Sequence, residues 1–159
     1  MNLEVETCIG AVSAEISRLT GLYSKWAETH DNPYGIIQVL YVLALHENVT
    51  QKQISEICEI PKQTVNSVIK QLKADKHITL LTSKDDKREK KIKLTPLGKT
   101  YVQKTLNPFF ELNEAAVKRV GIDLLHQLSK GLKTFGDALE MEMELKEVST
   151  KWEMKKGLL

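Results

Sequence analysis

The 159-residue chain has no run of about 18 apolar residues, the length a helix needs to cross a bilayer, so no transmembrane helix is expected. Its opening residues, MNLEVETC, carry two acids and no basic start followed by an apolar stretch, which does not fit a secretory signal. Two cysteines, Cys8 and Cys58, are too few for a disulfide framework, and a reducing, cytoplasmic setting is the expectation. The four histidines, His30, His46, His77 and His126, are scattered, and no Cys or His stands at metal-ligand spacing. No metal and no cofactor is therefore expected. Nucleophile elbows and phosphate-binding loops are absent by motif. Glu140, Glu142 and Glu144 alternate with Met141, Met143 and Leu145, so on a helix these acids spread around it instead of converging. An enzyme is not expected. Internal repeats, low-complexity tracts and Ser/Gly linkers are missing as well.

What is present suits a folded chain of ordinary domain size: 42% apolar and 28% charged residues. The net charge of +2 says little, but its distribution says more. Residues 61–95 hold ten Lys/Arg against four Asp/Glu, a local net of +6, which leaves −4 for the rest of the chain. One basic segment among mildly acidic surroundings is the footprint of a focused anionic partner, although a solvated lysine-rich face would look similar on charge alone.

Apolar spacing outlines the elements. Ile9, Val12, Ile16, Leu19, Tyr23 and Trp26 recur at steps of three and four, predicting an amphipathic helix over residues 5–28. Asn32-Pro33 reads as the cap and first turn of a helix to residue 46. Thr50 with Gln53 is a capping-box pair opening a short helix to Cys58, with Ile54 and Ile57 expected inward. Pro61 opens the next helix, with Val65, Val68, Ile69 and Leu72 inward. After Lys76 the period falls to about 2. Ile78 and Leu80, then Ile92 and Leu94, predict two strands around a charged tip, Ser83-Lys84-Asp85-Asp86-Lys87-Arg88. Thr95-Pro96 starts a helix carrying Val102 and Leu106 inward, kinked at Asn107-Pro108 but not ended there. Gly121 marks a turn, and Asp123 is expected to cap a last helix striped by Leu125, Leu128, Leu132, Phe135 and Leu139. The tail from about Val148 is expected to be weakly structured.

Two short helices joined by a tight turn and followed by a hairpin follow the order of a winged helix-turn-helix. A major groove about 12 Å wide admits one helix, whose exposed face must hydrogen-bond base edges. Lys62, Gln63, Thr64, Asn66, Ser67 and Lys70 offer such a face, and no acid occurs from Lys62 through Ala74. The hairpin tip adds Lys84, Lys87, Arg88, Lys90 and Lys91, suited to phosphates or to a narrow minor groove. The competing class is a winged helix used for protein contact without direct DNA readout, which would need neither the Gln/Asn/Ser/Lys face nor Arg88.

The stretch from Thr50 to Lys99 resembles the winged-helix core of the MarR family of regulators. The most specific match is Asp86-x-Arg88-x-x-x-Ile92-x-Leu94-Thr95-x-x-Gly98, supported by Pro61-x-x-Thr64-Val65 and Leu72. The resemblance implies a mainly α fold with a small β-hairpin wing, its winged helix-turn-helix over 33–97 flanked by dimerisation helices over 1–32 and 98–148, with a tail at 149–159. It implies a homodimer that reads palindromic operators in double-stranded DNA, most often as a ligand-responsive repressor. Arg88 would be the minor-groove residue and Asp86 its support. Ile9, Val12, Ile16 and the Leu125–Leu139 stripe would form the dimer seam. A small-molecule effector would bind between helices and wing, with Trp26, Tyr34, Ile37, Tyr41 and Phe109 as candidate lining. Two positions depart from the family pattern. Lys76 stands where glycine is usual between recognition helix and strand, and Leu80 replaces an arginine. Relatives that sense peroxide carry a cysteine near Cys8, but Glu4 and Glu6 beside it argue against a reactive thiolate.

Overall fold

The computed structural model describes residues 2–82 and 90–155, with side chains described for 2–81 and 90–146. Among the described residues six helices and three short strands follow one another: α1 (Leu3–Glu28), α2 (Tyr34–Leu45), β1 (Val49–Thr50), α3 (Gln51–Cys58), α4 (Lys62–Ala74), β2 (Ile78–Thr82), β3 (Lys90–Leu94), α5 (Pro96–Val120) and α6 (Ile122–Lys155). The fold is mainly helical with a small β-hairpin wing, as the spacing predicts. No helix among the described residues is long and apolar enough to cross a membrane.

The chain divides into two compact units, Met1–Phe109 and Phe110–Leu159. The first holds the buried core. Ile37, Leu40 and Val39 of α2, Ile54 of α3, Val65 of α4, Ile92 of β3 and Leu106 of α5 are its most enclosed side chains. The sheet is antiparallel in the order β1-β3-β2, with Val49 and Leu80 both opposite the buried Ile92. Strand β1 is absent from the sequence prediction. Two residues show no period, and Thr50 already reads as a helix cap. Its hydroxyl accepts from the Gln53 amide (3.2 Å) while the Gln53 side chain accepts from the Thr50 amide (2.9 Å), completing the capping box.

Several expectations are corrected. Ile57 is 52% exposed, not inward. At about 100° per residue it sits some 60° to one side of Ile54, whereas Cys58 sits about 40° to the other. Cys58 takes the inner place instead, with its thiol donating to the Gln38 carbonyl (3.6 Å). Asn32 does not cap α2. Pro33 occupies the cap position without a side-chain bond, and the Asn32 side-chain amide (Nδ2) donates to the His30 carbonyl (2.7 Å). Asp123 is not a cap either. Gly121, at φ +86°, closes α5 through its amide on Val117, and α6 begins at once, leaving Asp123 in the first turn where a carboxylate suits the helix dipole. The helix α6 continues to Lys155, beyond Val148. The helix α5 runs unbroken through Pro108, with Val102 and Leu106 buried.

In the second unit every described side chain from 110 to 146 is exposed or only half-buried. Leu128, Leu132, Phe135 and Leu139 are each 42–50% exposed, and Leu125 is half-buried.

Candidate nucleic-acid interface

The sequence sets the helix pair locally. Its capping box fixes the start of α3, and Glu59, at φ +51°, ends it in a left-handed residue. The Ile60 amide then returns to the Ser55 carbonyl (3.3 Å), and the Ser55 hydroxyl donates to the Ile60 carbonyl (2.7 Å). Pro61 follows as the cap residue of α4. This tight corner holds the two helices together and aims α4 outward.

The spacing of Val65, Val68, Ile69 and Leu72 buries one face of α4, as expected. Lys62, Gln63, Asn66, Ser67 and Lys70 are exposed on the rest of the helix. Thr64 differs. It is half-buried, and its methyl packs so near Gly35 of α2 that a Cβ there would come within 3.2 Å of it. Gln51 and Lys52 at the start of α3 join Lys62, Gln63 and Asn66 around an open hollow of about 460 Å³. The sequence reading does not place Gln51 or Lys52 in the interface. Their position in the first turn after a capping box is the signal that could have found them. Lys52 is tied only loosely to Glu56 (3.8 Å, both exposed), so its ammonium is available to an anion.

Of the expected wing residues, Lys84, Asp86, Lys87 and Arg88 lie outside the described residues. Lys90 is exposed at the start of β3, opposite Thr82. The base of the wing is built from the Leu94-Thr95-x-x-Gly98 motif. After α4 the chain turns through Lys76 at φ +59°. The His77 amide bonds the Leu72 carbonyl (2.8 Å) and the Lys76 amide the Lys73 carbonyl (3.1 Å), the paired bonds of a Schellman ending. Thr95 locks this turn. Its hydroxyl donates to the Lys76 carbonyl (2.8 Å) and accepts from the Gly98 amide (2.9 Å), while its amide donates to the His77 carbonyl (2.9 Å). A Cβ on Gly98 would lie 1.8 Å from that same carbonyl oxygen, so only glycine lets α5 approach the turn. The His77 ring stacks on Tyr101 (4.2 Å, 7°). Leu80 is half-buried on the sheet face it shares with Ile92.

The candidate effector lining is partly brought together. Phe109 lies 5.2 Å from Trp26, 5.3 Å from Tyr23 and 6.3 Å from Tyr41, and Tyr23 stacks on Tyr34 at 5.8 Å. Ile37 is fully enclosed in the core instead of lining an opening. Tyr23 is absent from the sequence-based set because its position on the α1 stripe reads as ordinary packing. Burial, then the neighbouring Tyr23 and Cys58, push the Tyr34 phenol above its usual range, and burial also raises the Cys58 thiol. Cys8 is exposed and unpaired in any disulfide. Among the described residues no group of His, Cys, Asp or Glu could hold a metal ion. On α1, Ile9, Val12 and Ile16 are 40–46% exposed.

Residues 37–89 match the family model described as the MarR family. The fold is similar over 91% of this chain to a MarR family regulator from Neisseria meningitidis, with 26% identity, 98% of that chain covered and a TM-score of 0.76. A crystal structure of S. aureus MepR with DNA matches over 85% of this chain and 97% of its own, at 21% identity and a TM-score of 0.60. The regulator BldR from Sulfolobus solfataricus shares the fold at 14% identity over 84% and 98% of the two chains, with a TM-score of 0.64. No curated protein matches the chain.

Proposed function

Because residues 37–89 match the MarR family model and the fold is similar to that of a MarR family regulator, we propose that this chain is a MarR-type, sequence-specific, double-stranded DNA-binding transcriptional regulator. It acts in the cytoplasm as a homodimer on palindromic operators and represses until an effector binds. The observation that carries this reading is the exposed face of α4, which holds Lys62, Gln63, Asn66, Ser67 and Lys70 and no acid, opposite a buried apolar face. Gln63 and Asn66 can pair bidentately with adenine, lysines meet guanine or phosphate, and serine meets either. Gln51 and Lys52 extend the polar surface beyond α4 onto the helix that crosses the backbone in this motif. The likeness to DNA-bound MepR supports the same partner.

Homodimerisation is supported by the uncovered apolar stripes on α1 and on α6, too extensive for a solitary soluble chain. In this reading residues 1–32 and 98–148 join the two copies, residues 33–97 read DNA, and Arg88 enters the minor groove with Asp86 supporting it. The aromatic cluster around Phe109 supports a small-molecule effector, whose binding would change the spacing of the two DNA-reading regions.

A salt titration of binding to genomic fragments tests the proposal. Binding should weaken steeply with salt, Arg88→Ala should flatten the slope, and Asn66→Ala should relax discrimination at one base pair by about 1–3 kcal/mol. Absence of binding at low salt, or indifference to both substitutions, would sink it.

A further inference from the structure

We infer that the hollow between the end of α4 and the hairpin is a second phosphate-binding surface for the same duplex, with Lys76 at its centre. The inference rests on the DNA-binding reading above and extends it to Lys73 and Lys76, which that reading does not use. Lys73 from the helix end, Lys76 from the turn and Lys90 from β3 line an open hollow of about 520 Å³, together with Ile78, Thr79, Leu80 and Thr95. Among the described residues no carboxylate lines it. The neighbouring Asp75 is engaged by the Gln71 amide (2.9 Å). Among the described residues none of the three lysines forms an ion pair. Three exposed lysines from three elements border one hollow, which gives it a positive local charge suited to an anion.

The backbone points the same way. Lys76 adopts φ +59°, a conformation glycine takes freely and a lysine does not. Every hydrogen bond that builds this turn uses the main chain of Lys76 and His77, so the fold needs the turn but not a side chain there. A charged side chain held against local backbone preference marks a position where the side chain has work of its own.

Reach agrees as well. At about 1.5 Å per residue, the eleven steps from Lys62 to Lys73 span roughly 16 Å. The major groove is about 12 Å wide. With Gln63 and Asn66 in the groove, the far end of α4 meets the phosphate-lined rim. The lining offers ammoniums and Thr79 but nothing shaped for a base edge, so this surface adds affinity and salt dependence without reading sequence.

The test uses the full-length protein, a duplex selected from random DNA by the wild type, and a scrambled duplex of equal length. Lys76→Gly should leave the melting midpoint unchanged or raise it. The same substitution should lower the slope of log affinity against log salt by about 0.9 for each phosphate no longer neutralised. The weakening of affinity should be equal on both duplexes. Lys76→Gln, which removes the charge but keeps a polar, Cβ-bearing side chain, should show the same slope change, and adding Lys73→Gln and Lys90→Gln to make a triple variant should deepen it. Lys25→Gln on α1 carries an equal change of charge and should keep the wild-type slope. Wild-type binding with unaltered slopes in Lys76→Gln and in the triple variant overturns this inference alone. A Lys76→Gly protein that both melts lower and binds weaker on the selected duplex alone also overturns it, since that is the signature of a structural role. A wild type that binds neither duplex at low salt overturns the DNA-binding reading itself.

Discussion

Residues 33–109 and residues 110–146 treat their apolar side chains in opposite ways. In the first stretch α2, α3, α4, the sheet and the start of α5 bury Ile37, Leu40, Ile54, Val65, Ile92 and Leu106 almost completely. In the second, nothing described is buried, and Leu128, Leu132, Phe135 and Leu139 keep about half their surface in water. Both stretches have the same helical periodicity. What differs is the neighbourhood: the first has short helices and a sheet within a few residues of chain to close over each stripe, and the second has long helices that no nearby element of that unit covers. A periodic stripe therefore marks an apolar face, but whether that face is buried depends on the elements around it.

The largest effect that could break this contrast is a core truncation. Leu40→Ala or Ile54→Ala should lose about 2–5 kcal/mol in urea unfolding. Leu139→Ala, measured under dilution where copies separate, should stay within about 0.5 kcal/mol. Equal losses at the two sites would show that the α6 stripe is packed within its own chain.

Next comes association. Leu128→Asp combined with Leu132→Asp should shift sedimentation equilibrium from twice the chain mass to the chain mass and weaken DNA binding, while retaining most helical circular dichroism. A doubly charged variant that still sediments at twice the chain mass removes α6 from the seam.

Gly98→Ala should cost about 1–3 kcal/mol in thermal unfolding, because its methyl would collide with the His77 carbonyl and part the wing base from α5. A neutral result would mean the start of α5 is free to give way. The smallest effect is expected at Lys52→Gln, which should flatten the salt dependence of DNA binding by about one phosphate's worth without altering sequence preference. A change in preference there would make α3 a reader of bases.

Much of the candidate interface is legible in the sequence, because each signal is local. The Thr50/Gln53 capping box, the proline before α4 and the steps from Val65 to Leu72 involve residues within two helical turns of one another. What escapes the sequence involves partners far apart in it. Ile57 is exposed because Cys58 reaches α2, twenty residues earlier. β1 exists only because Val49 and Thr50 find Ile92 and Lys91. Tyr23 joins Phe109 across more than eighty residues. A helix start such as Gln51-Lys52 looks like any other until the corner at Glu59 folds it against α4.

Lys76 shows where the division falls. The sequence alone determined that a turn must come near Lys76, since the period changes after it from helix to strand, and that a lysine sits where glycine would be at ease. Only the tertiary structure decided that the lysine takes the left-handed state. Thr95, nineteen residues on, holds its carbonyl, and Gly98 leaves room for α5 to press against His77. Periodicity is a property of neighbours along the chain and can be read from their order. The free energy that holds an unfavourable backbone angle comes from contacts that exist only after the chain has closed on itself.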